Sequence, residues 1–212
     1  MKSIKKIMFV CAAASILLCT TASAVVVPTW RGNEGSTWQQ WDFSSNSTSP
    51  SPDAGHNPYG DPIMTINPIG SWIDPPGAWP LSGEIDIFIP NRPETAERKE
   101  IWLQLTWQAG SNQTPTLPDE PWVAVTPFSS MQMSRKDTVL NGWTQSLFEI
   151  AICPNPPYEW ITVKGDIIVD QLMVDTICIP EPATIFLLGM GGLITVRRTR
   201  KRRSFCKSNI VK

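Results

Sequence analysis

The sequence predicts an all-β fold, an antiparallel β-sandwich of jelly-roll type, between two short apolar end segments. Three observations carry that expectation. Between residues 25 and 179 apolar and polar side chains alternate with a period of two. No segment there sustains an apolar period of 3.6, and Pro/Gly-rich runs interrupt the alternation at short intervals. At 212 residues, one domain plus terminal segments is the natural division.

The strand signals follow in order. In GEIDIFIP, Ile85, Ile87 and Ile89 alternate with Glu84, Asp86 and Phe88. In EIWLQLTW, Ile101, Leu103, Leu105 and Trp107 share one face. PWVAVTPF, LFEIAIC, YEWITVKG and DIIVDQLMVDTICI continue the pattern. ETAERKEIW is the nearest approach to a helix and predicts one turn. Turns are expected in TSPSPDAGHNPYGDP, DPPGAWP, TPTLPDEP and CPNPPYE. Short strands of this kind bury their apolar faces by packing sheet on sheet.

The ends read as addresses. Lys2, Lys5 and Lys6 precede an apolar stretch from Ile7 to Leu18, and Ala22-Ser23-Ala24 supplies small residues. That layout predicts a secretory signal peptide over 1–24, cut after Ala24. At the other end Ala183–Val196 is an uncharged apolar run, expected to form a transmembrane helix of about 21 Å, short of a bilayer core of about 30 Å. The basic cluster Arg197, Arg198, Arg200, Lys201, Arg202 and Arg203 follows, and should stay cytoplasmic with the tail 204–212. Its long side chains extend the span by snorkelling.

Net charge hides a segregation. The stretch between the two ends holds seven basic and nineteen acidic residues, a net −12 within an overall −1. Phosphate backbones repel such a body, so no nucleic-acid partner is expected.

Pro180-Glu181-Pro182, the apolar run and the arginine cluster together resemble the PEP-CTERM sorting signal of Gram-negative bacteria. The resemblance implies a domain order of 1–24 signal peptide, 25–179 ectodomain, 180–203 sorting signal and 204–212 tail. It also implies recognition by an exosortase, a membrane-embedded protease or transpeptidase, with processing near Pro180–Pro182. The chain would be anchored briefly in the inner membrane, then sent to the cell surface or the extracellular matrix. GDIIVDQLMVDTICIPEPAT is similar to the closing strand of galactose-binding-like, carbohydrate-binding sandwiches, and PTWRGNEGSTWQQWDF to the opening of such secreted proteins. A structural or adhesive role in a polysaccharide-rich biofilm is therefore expected; the alternative is a carbohydrate-binding module with a defined ligand face.

Candidate site residues follow from these readings. All ten tryptophans fall in the ectodomain, and sugar rings stack on aromatic faces, so Trp30, Trp38, Trp41, Trp72 and Trp79 are candidate glycan contacts. Trp107 and Trp160 are expected at core or cross-strand positions. Among loop acids, Asp166 and Asp170 are weak candidates for a structural Ca²⁺, though no EF-hand spacing is present. No other cofactor is expected. Cys153 and Cys178 are the even pair in the exported body, which favours a disulfide worth about 3 kcal/mol over two buried thiols in adjacent strands. The only histidine, His56, lies in a turn-like run, so a zinc triad or a Ser-His-Asp set is not expected. Glu84 with Asp86, or Glu149 with Glu159, are the carboxylate pairs a glycosidase would need, but the chain is read as no enzyme.

Overall fold

The computed structural model describes residues 25–67, 70–74, 77–93, 98–110 and 117–179. The expected signal peptide, the Pro180-Glu181-Pro182 motif, the apolar run and the arginine cluster lie outside the described residues. Among the described residues the chain is all-β: β1 (Ser36–Trp41), β2 (Ala54–His56), β3 (Ile63–Asn67), β4 (Trp79–Pro90), β5 (Arg98–Ala109), β6 (Trp122–Thr126), β7 (Ser130–Leu140), β8 (Trp143–Cys153) and β9 (Tyr158–Ile179). Residues 98–102 of the expected helical turn belong to β5. No described helix is long and apolar enough to cross a membrane.

All pairings are antiparallel, and β9 organises them into one sheet. Two strands were expected over 158–179; they are one strand of 22 residues. Its first part pairs with β4 and β6 on opposite edges, and its second part with β1 and β5. β3 extends from β4, β2 from β1, and β8 and then β7 from β5.

A bulge makes this double use of β9 workable. Thr106 pairs with Gln171 but Trp107 pairs with Val169, so Asp170 is the extra residue. Before it, Ile161, Val163, Ile167 and Val169 point into the core; after it, Leu172 and Val174 do. One inserted residue reverses the parity of a strand. Without that reversal, one half of β9 would turn its apolar side away from the core.

The core is a single cluster drawing on both halves. Met64, Ile66, Leu81, Ile85, Ile87, Ile89, Val123 and Val125 come from β3, β4 and β6, while Trp41, Ile101, Leu103, Leu105, Phe148, Ile150 and Ile152 come from β1, β5 and β8. Removing each from water is worth about 1.5–3 kcal/mol. β7 contributes little apolar surface and is exposed along almost its whole length. It forms because it pairs with β8 throughout and because Asn141 and Gly142, at φ 53° and 83°, make the tight turn that a two-residue hairpin needs.

The sheet order overturns the disulfide expectation. Cys153 and Cys178 are not bonded to each other. β5 runs between their strands: Lys99 pairs with Ile152 on one side and with Cys178 on the other. Two strand spacings come to about 10 Å, beyond the reach of a disulfide. Cys153 is also exposed while Cys178 is buried.

Candidate functional site

The outer face of β3, β4, the first part of β9, and β6 carries aromatic residues where a sheet usually carries polar ones. Alternation dictates this. With Ile85, Ile87, Ile161, Val163, Val123 and Val125 inside, the intervening residues must face solvent. Register then sets them side by side. Ile63 pairs with Phe88, Phe88 with Trp160, and Trp160 with Thr126, a row across four strands. Tyr158 adds to it, with its ring centroid 5.4 Å from that of Phe88, and the Trp160 ring lies 5.1 Å from Phe88. Trp160 keeps 41% of its surface exposed and Trp122, on the same face of β6, keeps 52%.

Polar groups lie between the two tryptophans. The Thr162 hydroxyl donates to Asp86 Oδ1 at 2.6 Å, and Lys164 Nζ lies 2.7 Å from Glu84 Oε2. Glu84 holds the Lys164 ammonium above the usual lysine range by hydrogen bond and charge. Lys164 pairs directly with Trp122 across β6. Along β9, Trp160 and Lys164 are four residues apart, about 13 Å. The face therefore offers flat π surfaces near both ends and hydroxyl, carboxylate and ammonium groups between them.

The five tryptophans expected to bind glycans do not form this face. Trp41 and Trp79 are core residues, a correction with a plain cause: Trp41 shares the inward parity of Thr37 and Gln39, and Trp79 that of Leu81. Trp72 packs against the core and donates Nε1–H to the Phe43 carbonyl at 3.1 Å. Trp30 meets Trp102 edge to face at 5.9 Å, and Arg31 lies 4.9 Å over the Trp38 ring. Both are half-buried where residues 25–35 cover the outer side of β1, β9 and β5. Trp160 was expected at a core or cross-strand position; it is cross-strand and exposed.

The carboxylates do not assemble a cleft. Glu149 accepts from Lys136 at 2.7 Å on the surface, whereas Glu159 is fully buried. Asp166 is buried, with its backbone engaged by Gly110 and Pro118, and Asp170 sits at the bulge beside Asp42. No group of three acidic, histidine or cysteine ligands occurs among the described residues, so nothing there supports the Ca²⁺ expectation at Asp166 and Asp170. An open depression of about 360 Å³ lies elsewhere, lined by Trp102, Arg98, Glu100 and Glu149 among others.

No curated protein and no solved structure shows significant similarity to the chain. Residues 179–203 match the PEP-CTERM protein-sorting motif, which implies export and processing of the exosortase type.

Proposed function

We propose that the chain is an exported surface or extracellular-matrix protein that adheres to polysaccharide through the Phe88–Tyr158–Trp160–Trp122 face. On this reading 1–24 is a removed leader, 25–179 is the displayed body, 180–203 is the sorting handle and 204–212 its cytoplasmic end. The single observation that carries adhesion is the exposure of two tryptophans and a tyrosine on one sheet face, around the half-buried Phe88, where solvent alone would favour polar residues. The net −11 of the body, seven basic against eighteen acidic residues over 25–179, favours a neutral polymer over a polyanion. The role needs no catalytic group.

The test is affinity electrophoresis of the purified full chain in gels containing xylan, galactan or hydroxyethyl cellulose. Retardation by at least one polymer, lost in Trp160→Ala and weakened in Trp122→Ala, is the expected result. Equal migration of wild type and both variants in every gel would sink the reading.

A further inference from the structure

Three polar side chains meet at the end of the core where β4 leaves and β5 enters. Asn91 follows β4 directly, Lys99 is the second residue of β5, and Glu159 is the second residue of β9. Their relative exposures are 6%, 1% and 0%. Lys99 Nζ donates to Asn91 Oδ1, and Asn91 Nδ2 donates to Glu159 Oε2 and, at 3.0 Å, to the Pro156 carbonyl. Lys99 Nζ also lies 3.1 Å from Glu159 Oε1, which takes no hydrogen bond among the described residues. Ile101 and Ile161, two residues further along the same faces, are fully buried.

We propose that this triad forms an intramolecular isopeptide bond between Lys99 Nζ and Asn91 Cγ, with Glu159 carrying the proton. The assignment is independent of the glycan-binding reading. An amine, a carboxamide and a carboxyl group in mutual contact, shielded from water, are the parts that such an aminolysis requires. A lysine–carboxylate ion pair is costly to hold in an apolar interior, and passing the proton from Nζ to Glu159 removes both charges at once. Burial pushes the Glu159 carboxyl above the ordinary carboxylate range, against the opposing pull of Lys99 and Asn91.

The step balances without any redox partner. Neutral Nζ attacks the Asn91 carboxamide carbon, and the Nζ–Cγ bond forms. Glu159, already protonated by that transfer, gives its proton to Nδ2 and then takes one from Nζ. The Cγ–Nδ2 bond then breaks and ammonia leaves, so Glu159 ends in the state in which it began. The product joins the end of β4 to the start of β5, linking residues eight positions apart. So short a loop gains little chain entropy from closure, and the larger effect is to keep β4 and β5 together if the connection between them is cut.

Peptide mass spectrometry of the full chain tests this. A glutamate-specific protease cuts after Glu84, Glu94, Glu97 and Glu100, which would separate Ile85–Glu94 from Arg98–Glu100 in an unlinked chain. The expected result is one branched species containing both peptides, lighter than their sum by one ammonia. It should be absent from Lys99→Arg and from Glu159→Gln. Two separate peptides of unmodified mass from folded wild type would overturn the proposal, whether or not the variants fold. A branched species that persists in folded Glu159→Gln would overturn the role given to Glu159.

Discussion

Arg31 grips Asp175 with both arms of its guanidinium, Nε–H donating to Oδ1 at 2.5 Å and Nη2–H to Oδ2 at 2.6 Å. The two residues are 144 positions apart, so this pair ties the start of the described body to its last strand. Asp175 is fully buried, and burial raises its carboxyl while Arg31 pulls it back.

Arg31→Ala should therefore cost about 3–5 kcal/mol at neutral pH, because it leaves a buried carboxylate without its cation. The loss should shrink on acidification. With Arg31 gone the folded carboxyl rises further, so stability returns as pH falls through its folded value. Asp175→Asn placed on Arg31→Ala should recover part of the loss at neutral pH, as measured by urea denaturation. An Arg31→Ala chain as stable as wild type would show that the pair is incidental.

Two tryptophans separate stability from binding. Trp41 is buried in the core and donates Nε1–H to the Pro50 carbonyl at 3.2 Å, so Trp41→Ala should cost about 3–5 kcal/mol. Trp160→Ala removes an exposed ring and should change stability by less than about 1 kcal/mol. Thermal denaturation of the two variants side by side checks the contrast. A large loss in Trp160→Ala would make that ring structural.

The same pair shows what the sequence makes legible. The alternation that put Ile161 and Val163 inside already puts Trp160 outside, and it makes Lys99 and Glu159 inward by the parity of Ile101 and Ile161. Those signals were present but were outweighed by residue type, since tryptophan suggests burial and a proline-rich loop suggests exposure. β4, β5, β6 and β8 are legible because each buries one face of a clear alternation. β7 is not, since almost nothing in it is buried, and it exists through pairing with β8. Strand order is also hidden, because β9 pairs with partners from the start, middle and later parts of the chain. The disulfide expectation failed for that reason.

The order β8-β5-β9 makes a direct prediction about the thiols. After denaturation and digestion without reductant, no peptide joining Cys153 to Cys178 should be found. Peptide masses would check this. A Cys153–Cys178 peptide linked until reduction would disprove the placement of β5 between them.

Asp170 provides a test of the bulge. Burial raises its carboxyl, and the negative charge of Asp42 raises it further. A carboxyl raised on folding contributes stability that is complete below its unfolded value and is lost as pH rises through its folded value. At neutral pH its charge is therefore a burden on the folded state. Asp170→Asn keeps the shape and removes the charge, so it should raise Tm at neutral pH. The gain should vanish as pH falls below the unfolded aspartate value of about 3.9, where wild type is itself uncharged at this position. Added Ca²⁺ separates this account from a metal site. If Asp166 and Asp170 held the ion, Ca²⁺ would raise the Tm of wild type and leave Asp170→Asn unchanged. If charge repulsion at the bulge is the whole effect, millimolar Ca²⁺ should shift the two chains alike.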